Sequence, residues 1–122
     1  MSKAAVALNL VLADQFLETA RWAHQMGFHN VSHTNSVNCA IRAKDAIAIK
    51  LAGKTRRLMA HGRAVDELAD LPQAADLAGA LNRILQDKNR FEYSDELASQ
   101  ARSADQLARV ERFLARVKTL CS

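Results

Sequence analysis

The chain has 122 residues, of which 49% are hydrophobic and 25% are charged, and this length is enough for one domain with its own core. Only four glycines and one proline occur in a chain rich in Ala and Leu. This composition argues against a strand-rich fold, which needs more turn residues and more β-branched residues. The net charge of +4 permits an anionic partner such as RNA without indicating one.

Cysteine usage and hydropathy predict a cytoplasmic protein. Cys39 and Cys121 lie far apart in no metal-binding spacing, and no secretory signal peptide precedes them, which indicates free thiols in a reducing compartment. No apolar run approaches the roughly 18 residues needed to cross a bilayer. We therefore expect one cytoplasmic domain over residues 1–122, with no membrane contact and no cofactor.

The first predicted helix covers about residues 3–26. Apolar residues recur in it at near-helical spacing with charged residues between them, which is typical of an amphipathic helix. Gly27 follows, and glycine is common just past a helix end. The apolar stripe consists of Val6, Leu10, Ala13, Leu17, Ala20 and Trp22.

A second helix is predicted over about residues 34–52, with Thr34 or Asn35 as its N-cap because both side chains can accept a hydrogen bond from a helix-start amide. Ile41 and Ala48 widen its apolar stripe, so most of this helix should be buried, and Gly53 ends it. The stripe itself consists of Val37, Ala40, Ala43, Ile47 and Leu51.

A short helix and a longer one are predicted next. The short helix holds Ala64, Val65 and Leu68. Pro72 is expected in the first turn of the fourth helix, about residues 73–88, where its missing N–H costs little.

The last part of the chain is predicted to form an irregular polar stretch, about residues 91–101, followed by a final helix. Ser103 and Gln106 have the spacing of a capping box, which predicts that this helix begins at Ser103. Together the segments predict an all-α, up-and-down bundle of four long helices and one short helix.

Five segments, in order, resemble a known family. LADQFLETARWAHQMGF looks like a first helix ending at Gly and an aromatic residue, and SVNCAIRAKDAIAIKLAG like an Ala-rich second helix. A third segment led by His is resembled by HGRAVDEL, and a fourth helix with its polar turn is resembled by LNRILQDKNRFEYSD. The closing helix is resembled by SADQLARVERFLARV. This order resembles the HEPN superfamily (higher eukaryotes and prokaryotes nucleotide-binding domains), and above all its small stand-alone bacterial members.

The resemblance locates a possible active site. In ribonuclease members of the superfamily, an Arg and a His lie at the end of the fourth helix and just beyond, in a cleft shared by two subunits, and cleavage needs no metal. The His serves as general base or acid at the ribose 2′-OH, and the Arg grips the phosphate. Here that place reads KNRFEY, so Lys88 and Tyr93 occupy the two positions.

Both replacements weaken the chemistry. Lys88 would be a point charge without the planar fork of Arg. The hydroxyl of a Tyr has an unperturbed pKa of about 10 and is a poorer proton acceptor near neutrality than a His, whose pKa is about 6.5. The resemblance therefore implies a site that can hold a phosphate but is badly equipped to cut beside one.

A second match to the Arg–His spacing runs from Arg56 to His61. This pair precedes the short third helix, so by position it corresponds to the structural His segment of the family. Asp45 lies on the most apolar helix, and a buried carboxylate needs a partner. His61 is the predicted partner, either within a polar pocket or as a tie between two helices.

The candidate ligand-binding residues are therefore Lys88, Arg90, Tyr93, Asp45 and His61. Lys88, Arg90 and Tyr93 would bind a nucleotide phosphate or an RNA backbone, although the Tyr ring can equally pack in the core with its hydroxyl at the surface. On the second helix, Arg42 and Lys44 are further candidates for lining that groove, or are ordinary solvated charges.

A metal site is not predicted. Three histidines, His24, His29 and His33, fall near one turn, but no Cys or carboxylate completes a ligand set.

The resemblance implies a homodimer through the second and fourth helices, and the wide apolar stripe of the second helix makes that contact plausible. The leading functional interpretation is a non-catalytic HEPN-like protein that binds a nucleotide, RNA or a protein partner in a toxin–antitoxin or stress setting. A nucleotidyltransferase-type protein is one such partner. The alternatives are a metal-independent ribonuclease with a degenerate motif and a purely structural dimerisation module.

Overall fold

The computed structural model describes residues 2–53 and 61–122, and their regular structure is entirely helical. The elements are α1 (Ser2–Gln25), α2 (His29–Ala52), α3 (His61–Ala69), α4 (Leu77–Leu85), α5 (Lys88–Glu92) and α6 (Gln100–Cys121). The all-α class is thus confirmed. Three of these helices are long and three are short, and none is long and apolar enough to cross a membrane.

Helix α2 lies at the centre of the fold. It contacts each of the other five helices, most extensively α1 and α6. Its buried residues extend from Ser32 to Ile49, and several of them are alanines, whose small side chains let neighbouring helices approach closely. The width of its apolar stripe is therefore explained by packing within one chain.

The turn between α1 and α2 confirms that Gly27 ends the first helix. Gly27 adopts a φ of 80°, which glycine reaches without steric cost. The amide of Phe28 donates to the carbonyl of Ala23 at 2.8 Å and that of Gly27 to the carbonyl of His24 at 3.1 Å. These two bonds form a Schellman motif. The predicted stripe of α1 is wrong at one residue, since Trp22 is 53% exposed.

The predicted start of the second helix at Thr34 or Asn35 is wrong, because α2 begins at His29 and its N-cap residue, Phe28, makes no side-chain hydrogen bond. The polar residues of this stretch contact other elements instead of capping the helix. The hydroxyl of Ser32, for example, donates to the carbonyl of Ala20 on α1 at 2.8 Å.

The predicted fourth helix, residues 73–88, is too long, since α4 covers only Leu77–Leu85 and a separate short helix, α5, begins at Lys88. Pro72 lies in the turn before α4 and not in its first turn. The predicted capping box is also wrong. Helix α6 begins three residues earlier, with Ser99 as N-cap accepting from the amide of Arg102 at 3.1 Å. Gln106 instead donates to the carbonyl of Ile84 at 2.8 Å, which joins α6 to α4.

Candidate functional site

Three of the predicted site residues lie in or next to α5. Lys88 opens the helix, and its ammonium lies 2.5 Å from a carboxylate oxygen of Glu92, one turn later. The same ammonium donates to the hydroxyl of Tyr93 at 3.0 Å and lies 4.6 Å from the centre of its ring. The Lys88 and Tyr93 positions, five residues apart, are thus in direct contact.

The charge of Lys88 is stabilised where it lies. Burial disfavours the ammonium, but its hydrogen bonds to Glu92 and Tyr93 outweigh this effect, so the pKa of Lys88 is raised. A protonated Lys88 cannot act as a base, and its charge is largely offset by Glu92. The Lys88–Tyr93 pair therefore lacks both a proton acceptor suited to neutral pH and an open cationic group.

Arg90 is likewise paired. Its guanidinium forms an ion pair with Glu96, and this hydrogen bond raises its pKa. Its backbone carbonyl accepts from the hydroxyl of Ser94. Both cations of the predicted phosphate site are thus engaged by carboxylates of the same segment.

Residues 93–99, which follow α5 and are here called the arm, are irregular but anchored. The side-chain amide of Asn30 on α2 donates to the carbonyl of Phe91 at 3.1 Å and to that of Glu96 at 2.7 Å. Its side-chain oxygen accepts from the amide of Ala98 at 2.7 Å. One side chain thus satisfies a backbone group just before the arm and two within it, which fixes the path of the arm.

Two large arm residues point into solvent. Tyr93 is 74% exposed and Leu97 is 88% exposed. Since Asn30 anchors the backbone on both sides of Leu97, these side chains are presented by an ordered segment. The anchor was not identified from the sequence, because Asn30 was expected to precede the second helix. Of the two exposed residues, the sequence singled out Tyr93 but not Leu97, and the alternative that the Tyr93 ring packs in the core is wrong.

A Ser–His cluster joins α1, α2 and α6 at the same end of the bundle. The hydroxyl oxygen of Ser103 lies 2.5 Å from Nδ1 of His24 and 2.8 Å from Nδ1 of His29. A hydroxyl has one proton to donate, so at least one of the two rings must carry a proton on Nδ1. Ser103 is fully buried, and this cluster ties three helices together.

The third histidine of that turn has a different environment. His33 is buried, and its ring packs edge-on against Phe91 at 5.0 Å. Its Nδ1 has no hydrogen-bond partner in the described part of the chain. Burial lowers the pKa of His33 below its ordinary value of 6.5, against the opposing charges of Asp87 and Glu92. Within residues 2–53 and 61–122, no three His, Cys, Asp or Glu side chains are placed to hold a metal ion.

Asp45 lies in a separate buried charge cluster. The ammonium of Lys44 is 2.6 Å from a carboxylate oxygen of Asp45 and 3.4 Å from one of Glu67 on α3. Lys44 is only 1% exposed, so the interpretation of Lys44 as a groove-lining or solvated charge is wrong. Arg56 and the side chain of His61 lie outside the described residues, and so does the predicted Asp45–His61 pair.

The predicted site residues do not form one constellation. Lys88 and Tyr93 are together at α5, whereas Asp45 is joined to α3 through Lys44 and Glu67. A basic cavity that was not identified from the sequence lies between α4 and α6, lined by Arg83, Arg109 and Arg112. The three arginines lie on two separate helices, so the sequence gives no sign that they come together. Only the packing of those helices places them around one cavity.

Known protein families and curated proteins contain no match to this chain.

Proposed function

We propose that this chain is a HEPN-like helical protein that does not cut RNA and that binds a protein partner, first of all a second copy of itself, through the arm. The observation that carries the proposal is the contact of Lys88 with Glu92 and Tyr93. It occupies the position that the resemblance gives to the nuclease pair, yet it offers a neutralised cation and a weakly basic hydroxyl.

The exposure of the arm supports a protein partner over an anion at this position. Tyr93 and Leu97 are among the most exposed large side chains of the described residues, and Tyr is enriched at the energetic centres of protein interfaces. The anchor at Asn30 orders the arm before binding, and preordering lowers the entropic cost of association. An anion would have to displace Glu92 from Lys88 and Glu96 from Arg90.

A second copy is the preferred partner because the HEPN resemblance implies a cleft shared by two subunits at this place in the chain. The proposed contact differs from the predicted one through the second and fourth helices, since α2 is occupied in the core of its own chain. A nucleotidyltransferase-type partner in a toxin–antitoxin or stress setting, and a nucleotide or RNA ligand, remain predictions of the resemblance. The alternative function, a purely structural dimerisation module, would form the same dimer but would bind no ligand.

The proposal is tested by measuring self-association and RNA cleavage on the same preparations. We expect the wild-type chain to sediment as a dimer and Leu97→Asp to sediment as a monomer, because a carboxylate in an apolar contact loses its hydration without a partner. Labelled RNA incubated with the wild-type protein and EDTA should stay intact.

The matched control is Leu8→Asp, which alters a leucine on α1 that is 57% exposed and should leave the dimer unchanged. A wild-type monomer at the highest soluble concentration, or a dimer that Leu97→Asp leaves intact, would refute the proposed contact. RNA cleavage that Tyr93→Phe abolishes would show instead that the altered motif is an active nuclease.

A further inference from the structure

Three arginines surround a small cavity between α4 and α6. Arg83 comes from α4, and Arg109 and Arg112 come from α6. The cavity has a volume of about 180 Å³. Its apolar lining consists of Leu77, Ala80 and Phe113. The cavity therefore combines three cationic side chains with an apolar lining.

None of the three guanidinium groups has a carboxylate within ion-pairing distance among the residues that the structure describes. Two acids close to the lining residues in the chain are paired elsewhere. Glu111, next to Arg112 in the chain, lies 3.3 Å from Arg21 on α1, and Asp76 lies 3.3 Å from Arg116. The fold thus concentrates three positive charges around one cavity and directs these two carboxylates away from it.

This arrangement costs stability unless an anion compensates it. Arg109 and Arg112 are three residues apart on one helix, a spacing at which like charges repel. A basic helix face that is merely solvated would explain two such residues. It does not explain why a third arginine from another helix meets them over an apolar cavity.

We propose that this cavity binds a compact phosphate-bearing small molecule with at least two phosphoryl groups. The planar guanidinium fork matches phosphate oxygens bidentately, and three such groups offset the charge of a diphosphate or triphosphate. The volume of about 180 Å³ is below the roughly 300 Å³ of sites that enclose drug-sized ligands. The cavity therefore holds the polyphosphate and leaves any attached group at its mouth.

A small ligand is favoured over single-stranded RNA. Binding of a single strand relies on aromatic side chains on which successive bases stack. The aromatic side chain at this cavity is Phe113, which is 2% exposed and offers no stacking face. The cavity is lined by none of the arm residues, so a test of ligand binding here does not depend on whether the proposed dimer contact exists.

Calorimetric titration with inorganic triphosphate, ATP and AMP tests the proposal, with thermal shift as a second readout, since a ligand of the folded state raises the melting temperature. We expect triphosphate and ATP to bind more tightly than AMP, with affinity that falls as salt rises. Arg112→Gln should weaken binding by about tenfold or more, as expected for a lost hydrogen bond between charged groups. Arg112→Lys should restore part of it.

The matched control is Arg116→Gln, one turn further along α6, which removes the same charge from an arginine already paired with Asp76. It should leave the affinity nearly unchanged. Equal losses in Arg112→Gln and Arg116→Gln would reveal only a general effect of net charge and would overturn the proposal. So would an absence of binding by triphosphate and ATP, or binding of a short RNA alone. The dimer is measured separately, and its loss or presence does not affect this result.

Discussion

At the scale of single residues, the least expected feature is a lysine in the core. Lys44 is 1% exposed and is held by Asp45 and Glu67, because a buried ammonium must be paired to be tolerated. Cys39 is the opposite case: it is fully buried, and burial raises the pKa of its thiol to about 12. The burial of Lys44 had no local signal in the sequence.

We expect Asp45→Ala to lower the free energy of unfolding by about 3 kcal/mol, because it leaves the Lys44 ammonium buried with an incomplete partner set. Urea denaturation measures this loss. The control is Asp76→Asn, which breaks the exposed ion pair with Arg116 and should change stability by less than about 1 kcal/mol. Equal effects of the two substitutions would mean that the buried cluster contributes no more than a surface pair.

At the scale of elements, the arm shows how an irregular segment can be ordered without helix or strand. Two of its backbone groups, at Glu96 and Ala98, and the carbonyl of Phe91 just before it are bonded by one side chain, Asn30, at the start of α2. The sequence predicted an irregular stretch there from its polar composition. It did not predict the anchor, because residue 30 and the arm are more than sixty residues apart in the chain.

Replacing Asn30 with Ala should release the arm while the bundle stays folded. Three hydrogen bonds are lost, each with a net contribution of about 1 kcal/mol, so we expect about 3 kcal/mol of destabilisation. Hydrogen exchange should accelerate in peptides that cover residues 93–99 and change little in α1 and α6. Asn35→Ala is the control, since that side chain bonds only to the carbonyl of Val31 on its own helix. Unchanged exchange in the arm would show that Asn30 is not its anchor.

At the scale of the whole molecule, the stability of the fold should depend on pH through His33. Burial lowers the pKa of this residue in the folded state, so the unfolded chain takes up its proton first as the pH falls. The stabilising contribution is therefore complete above about pH 6.5 and is lost as the pH falls below it. Urea unfolding between about pH 8 and pH 5 should show this decline.

The comparison with His33→Leu isolates this contribution, because the two proteins differ only at residue 33. The variant should lose less stability across the acidic range than the wild type. Parallel curves for the two proteins would mean that His33 is not the group responsible.

The helical class, the end of α1 at Gly27 and most of the buried faces were determined by the sequence alone. The reason is that the spacing of apolar residues and the backbone preferences of single residue types act over a few neighbouring residues. The start of α2, the division of α4 from α5 and the start of α6 depended on tertiary contacts: Ser32 bonds to α1, and Ser103 meets two histidines from other helices. The arginine cavity likewise exists only once α4 lies beside α6. Residues distant in the chain decide such features, since a polar side chain takes whichever partner packing brings within reach.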